Sequence, residues 1–279
     1  MKIRLLNCFL AVLFVQVSCS SLRETPKDFV VPQSYSYHIQ GSKFSLMNVD
    51  QVGNMYLVKN QRTLLKYNID GNLDKTFDSQ LAGFIYSIDV ANPLYLLVFY
   101  RDAGKIMLFD RNLALLKEIS LATWTKNDIT AVSLSNNNQL WMYDTVERKL
   151  LRYSIEGDRV LESADLYGVT NLELSIETIR EYNNQVYLRN REGKLLVLDN
   201  LGRFIDDVDI STGLPLRGVD EVICFPKGDE YGCLNKSAFE YTYEQELEDI
   251  GIEECRVLTF GGMLFVQTEG GVLNKNFNK

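Results

Sequence analysis

Gln139-Leu-Trp-Met-Tyr-Asp144-Thr-Val-Glu-Arg-Lys149-Leu-Leu-Arg-Tyr153-Ser-Ile-Glu-Gly157-Asp-Arg-Val160 holds two short apolar stretches parted by a charged turn and followed by a Gly-containing turn. Both stretches are rich in aromatic residues and Leu and are too short for a helix. Successive side chains of a strand point to opposite faces, so Leu140-Trp141-Met142-Tyr143 reads as a strand with apolar groups on both sides. Such a strand must be covered twice, here by the next unit of the same kind.

The same grammar returns along the chain. Segments starting at Asn54, Pro93, Gln139, Gln185 and Glu230 each give an apolar-aromatic strand, a polar turn, a second strand ending in an aromatic or Leu, a turn rich in Asp, Asn, Gly or Glu, and a third strand. The anchors that close the second strand are Tyr67, Phe109, Tyr153, Leu198 and Tyr241, spaced 42, 44, 45 and 43 residues apart. A steady period of about 40–45 residues with several strands per unit is the signature of a β-propeller. An innermost strand precedes each anchor, at 43–49, 84–90, 129–134, 175–182 and 219–225, and a sixth start lies at 254–260. Residues 171–182 have the strongest helical pattern in the chain but also read as the strand entering the fourth unit.

The sixth unit stops after about three strands, and a spare strand, Ser34-Tyr-Ser-Tyr-His-Ile-Gln40, lies near the other terminus. The expectation is an all-β fold, a six-bladed β-propeller over residues 34–279, with the N-terminal strand closing the ring. An open ring would expose a sheet edge, and pairing the two termini removes it.

The third unit, with Asp144 ending its first strand, Tyr153 its second and Gly157 in the turn, resembles an NHL-type six-bladed propeller repeat. At the Asp position the other units carry Asn60, Tyr100, Asn190 and Asn235. The layout as a whole is similar to that of six-bladed propeller lipoproteins of Bacteroidetes type.

Residues 1–19, MKIRLLNCFLAVLFVQVSC, have the build of a signal peptide: Lys2 and Arg4, then an apolar stretch too short to span a bilayer. Val17-Ser18-Cys19 resembles a lipobox, with Gln16 where the usual pattern has Leu. The resemblance implies acylation of Cys19, palmitate included, and a tether over residues 20–33. Ser20 after that Cys implies the outer membrane, facing the periplasm or the surface. The competing reading is cleavage near Ser18 and a secreted or periplasmic protein. An exported chain can form disulfides. Cys224 and Cys233 flank Pro226-Lys227-Gly228-Asp229 and so could sit on neighbouring strands, either bridged or as buried thiols.

The formal charge is −8, which argues against nucleic acid and against an anionic bilayer surface, since both recruit basic patches. The single histidine, His38, falls on the closing strand, where a Ser-His-Asp arrangement has no place. The cysteine spacing fits no zinc motif, and one histidine cannot make a His cluster. No metal or cofactor is expected, calcium excepted: Asp89, Glu177 and Glu221 fall on innermost strands, and some enzymes of this fold hold calcium at the channel mouth with such oxygen ligands. Trp124, in the connection between the second and third units, and Tyr167 and Tyr182 are the candidate partner-binding residues, Trp being enriched at interface hot spots. Trp124 could equally fill the gap between units. The leading expectation is a non-enzymatic envelope lipoprotein that serves as a binding or scaffolding platform for protein partners. The alternative is a calcium-dependent hydrolase or a carbohydrate-binding protein that uses the channel mouth.

Overall fold

The computed structural model describes residues 36–41, 44–79, 82–92, 94–170, 174–191 and 194–209, and then segments 217–219, 222–227, 230–235, 240–246, 257–260, 263–268 and 270–276. Of two compact units, Met1–Val30 and Val31–Lys279, the described residues all belong to the second. Residues 1–33, Cys19 among them, and Glu221 lie outside the described residues.

The strands sort into four-stranded antiparallel sheets. The first sheet holds β2 (Leu46–Val49), β3 (Met55–Lys59), β4 (Thr63–Tyr67) and β5 (Leu73–Asp78), in that order. The second holds β6 (Ser87–Asp89), β7 (Leu96–Tyr100), β8 (Lys105–Phe109) and β9 (Leu115–Ser120). The third holds β10 (Ile129–Leu134), β11 (Leu140–Asp144), β12 (Lys149–Tyr153) and β13 (Arg159–Glu162). A five-residue helix, α1 (Leu166–Thr170), leads to the fourth sheet: β14 (Ile176–Tyr182), β15 (Gln185–Asn190), β16 (Lys194–Asp199) and β17 (Phe204–Asp209). The fifth is β18 (Arg217–Val219), β19 (Val222–Lys227), β20 (Glu230–Asn235) and β21 (Glu240–Glu246). The last is β22 (Val257–Phe260), β23 (Met263–Thr268) and β24 (Gly271–Asn276), with β1 (Ser36–Gln40) paired on its outside. Ser36 lies opposite Asn274 and Gln40 opposite Gly271.

The strand expected at 175–182 is β14, Ile176–Tyr182. One feature departs from the reading of the sequence. In the fifth sheet the anchor Tyr241 lies on the fourth strand, whereas Tyr67, Phe109, Tyr153 and Leu198 each lie on the third. The three-residue strand β18 displaces the count by one.

Alternate residues of each central strand enter different cores. Tyr56 and Val58 of β3 pack with Ile88, Val98 and Tyr100 of the second sheet. Met55 and Leu57, which alternate with them in sequence, pack with Ile39, Phe265 and Val272 of the last. Leu140 and Met142 join the second sheet, while Trp141 and Tyr143 join the fourth. The first three sheets are thus covered on both faces, which is why β7 and β11 are buried along their whole length. At about 1.5–3 kcal/mol per large apolar side chain, this burial is the main stabilising term.

Three of the described turns between third and fourth strands share one chemistry. In Asn68–Asn72, Asp110–Ala114 and Asp199–Arg203 the first side chain accepts from the backbone N–H groups two and four residues on. The N–H of the fourth residue donates to the first carbonyl. That fourth residue has a positive φ: Gly71 at 79°, Leu113 at 59° and Gly202 at 75°. Asp, Asn and Ser supply the acceptor and Gly tolerates the left-handed backbone, which explains the composition of these turns.

Candidate functional site at the innermost strands and one end of the sheets

Strands β2, β6, β10 and β14 lead their sheets and lie side by side. Polar side chains tie each to the next. Asn48 donates through Nδ2 to the Ile88 carbonyl at 3.2 Å. The Leu134 N–H donates to Asp89 Oδ2 at 2.9 Å. The Asn136 N–H donates to Glu181 Oε2 at 3.1 Å, an oxygen that also accepts from Trp141 Nε1 at 2.7 Å. The partners in these contacts lie 40, 45, 45 and 40 residues apart. The repeat period is therefore also the spacing of the contacts between sheets.

Asp89 lies on β6 and Glu177 on β14. The Asp89 carboxylate is buried, and it accepts from the Ala91 N–H and from Arg180 Nη1 as well as from Leu134. Glu177 accepts from Arg191 Nε at 2.8 Å and stands 3.8 Å from Arg189. Burial pulls the Arg189 guanidinium below its ordinary value, and the Glu177 charge opposes that pull. Asp50, at the end of β2, is closed in the same way by Arg111 at 2.7 Å. Among the described residues no group of three or more His, Cys, Asp or Glu is placed to hold a metal.

The hairpins between second and third strands and the connections between sheets emerge at the same end. There an arginine covers an aromatic ring three times: Arg62 on Phe84 at 4.7 Å, Arg101 on Tyr86 at 5.2 Å and Arg148 on Tyr167 at 5.4 Å. In each case the arginine comes from a hairpin and the aromatic from a connection. Arg148 also donates from Nε to Asp165 at 3.0 Å, and this pairing holds the Asp165 carboxyl down at about 2. Two clefts open at this end. One, of about 360 Å³, is lined by Arg101, Leu121, Thr125, Lys126 and Asp128; the other, of about 280 Å³, by Gln61, Phe84, Tyr86 and Asp102.

Of the three aromatic candidates, Tyr167 is 45% exposed. Tyr182 is half-buried at the end of β14. Trp124 is half-buried, stacked on Tyr153 with centroids 5.6 Å apart, and seated against Gly157. The arginines were missed, although a basic residue recurs at the matching hairpin in Arg62, Arg101, Arg148 and Arg191. His38 is half-buried on β1, edge-on to Phe265 at 5.0 Å.

No protein-family model and no curated protein sequence matches the chain. Solved structures do. Streptogramin B lyase is similar at a TM-score of 0.57 and 14% identity, over 82% of this chain and 78% of that one. A catalytically inactive, histidine-to-alanine form of virginiamycin B lyase from Staphylococcus aureus, solved with quinupristin, is similar at 0.55 and 14%, over 84% and 80%. A protein of unknown function from Bacteroides caccae is similar at 0.52 and 10%, over 74% and 79%. These are propeller-type proteins. The fold is a β-propeller. At these identities the likeness concerns the fold alone.

Proposed function

We propose that this propeller is a non-enzymatic lipoprotein of the cell envelope that serves as a binding platform for a protein partner. Its sheets form a six-bladed ring of NHL-like layout, closed where β1 pairs with β24. Cys19 carries the lipid, and the outer membrane is its location. The observation that carries the reading is the set of arginine-covered aromatics, Phe84, Tyr86 and Tyr167, at one end of the sheets. Arginine and aromatic side chains are the groups most enriched in the energetic centres of protein interfaces. Here they stand on connections held by rigid strands.

Two further observations favour a platform over an enzyme. Asp89 and Glu177 are each engaged by arginine. A calcium ion would have to displace these cations before either carboxylate could bind it. The lyase noted above is described as inactive once a histidine is replaced, and the single histidine of this chain lies on β1, the outside strand of its sheet.

The test is cross-linking and affinity recovery from solubilised membranes with three proteins: the wild type, Phe84→Ser/Tyr167→Ser, and Val52→Ser/Leu201→Ser at the opposite end. The expected result is one stoichiometric envelope protein recovered with the first and third and lost with the second. Equal recovery by all three, or no partner with the wild type, overturns the reading. A melting temperature raised by calcium chloride would favour the channel-mouth hydrolase instead.

A further inference from the structure

Cys224 of β19 and Cys233 of β20 occupy directly opposed positions in an antiparallel pair. Both kinds of opposed pair bring Cα atoms within a disulfide's reach, but the kind of pair sets how closely the two side chains approach. Opposed residues alternate between hydrogen-bonded pairs, with Cα atoms about 5.5 Å apart, and non-hydrogen-bonded pairs, about 4.5 Å apart with side chains closer together.

Two independent features identify the kind. Lys227 lies opposite Glu230, and two residues separate them in the chain. In a hairpin with a two-residue loop, the residues flanking the loop form a hydrogen-bonded pair. Counting back, Pro226–Tyr231 is non-hydrogen-bonded, Phe225–Gly232 hydrogen-bonded and Cys224–Cys233 non-hydrogen-bonded. The second feature is Pro226 itself. Proline has no N–H to give to β20, so it fits a non-hydrogen-bonded position facing that strand. Cys224, two residues away, shares its parity. Both lines put the cysteines in the kind of pair whose side chains stand closer, with Cα atoms about 4.5 Å apart, near the lower end of the roughly 4.4–6.8 Å window a disulfide needs.

We propose that Cys224 and Cys233 join as a disulfide across β19 and β20. The oxidant is a small-molecule or protein disulfide. The thiolate of one cysteine attacks it, forms a mixed disulfide and releases one thiol. The thiolate of the second cysteine then displaces the other half. In balance, two protein thiols and one external disulfide become one protein disulfide and two external thiols, which carry the two protons and two electrons. The proposal does not rest on the partner-binding reading. The bridge spans adjacent strands of one hairpin, so it fixes their register.

The test uses the full chain, incubated with oxidised glutathione, blocked with an alkylating agent and digested with trypsin without reduction. Cleavage after Lys227 separates the two cysteines into peptides 218–227 and 228–236. The expected product is these two peptides linked, lighter by two hydrogens than their sum, with Cys255 alkylated. Cys255→Ser should leave the linked pair intact, and Cys224→Ala should leave Cys233 alkylated. Alkylation of both cysteines, a lasting glutathione adduct on either, or linkage of either to Cys255 overturns the proposal.

Discussion

Arg180 of β14 donates to the carboxylate of Asp89 on β6, 91 residues earlier in the chain and two sheets away. Asp89 also accepts from Leu134 of the intervening β10. One carboxylate thereby ties three leading strands together. The Asp89 side chain is 4% exposed and that of Arg180 16%, so the pair is shielded from water.

Removing one member strands the other. Arg180→Met should cost about 2–4 kcal/mol, slightly below the usual range for breaking a buried pair because Arg180 keeps some access to water. In an Asp89→Asn background the same change should cost about 1 kcal/mol or less, since no charge is left uncompensated. Urea denaturation of the double-mutant cycle measures the coupling. Additive losses would mean the pair is not coupled.

Gly157 has φ of 108°, and a Cβ there would sit 2.5 Å from Trp124 Nε1. Gly157→Ala should therefore destabilise by about 2–4 kcal/mol, adding the left-handed penalty to an overlap. In a Trp124→Ala background the overlap vanishes, and the increment should fall to about 1–2 kcal/mol, the backbone part. An unchanged increment would show that Trp124 does not press on this turn.

His38 has its pKa lowered from 6.5 by burial, against a smaller opposing effect of Asp70. The folded state therefore binds fewer protons than the unfolded one as pH falls through 6.5. Stability from this group is complete above that value and declines below it, down to the depressed folded pKa. The melting temperature of the wild type should fall faster than that of His38→Gln between about pH 6.5 and 5. Parallel curves would show that His38 does not titrate on unfolding.

The anchor is tested by Cys19→Ala. The expected outcome is release of the protein from the membrane fraction into the soluble fraction, read by fractionation and blotting. Retention on membranes would rule out acylation of this residue.

The period of the fold was legible because each unit faces the same physical demand. A strand such as Leu140–Asp144 must bury both faces, so every unit repeats an apolar run and an anchor at near-constant spacing. The third-to-fourth-strand turns repeat for a similar reason: a local side-chain acceptor and a residue that tolerates positive φ, both readable from Asn68–Gly71 or Asp199–Gly202. The fifth sheet differs because the run at 219–225, which reads as one leading strand, is divided between two: Val219 ends β18 and residues 222–225 lie on β19.

The site was legible in part. Asp89 and Glu177 stand out by residue type and strand position, and Tyr167 by its connection. Their partners did not, because Arg180, Arg191 and Arg148 are ordinary exposed residues by type. By itself the sequence determined the strand-and-turn repeat, since that depends on groups within about 45 residues of one another. The tertiary structure alone decided which charges meet. An ion pair such as Asp89–Arg180 depends on distance and burial across three sheets, and neither quantity has a local signature in the chain.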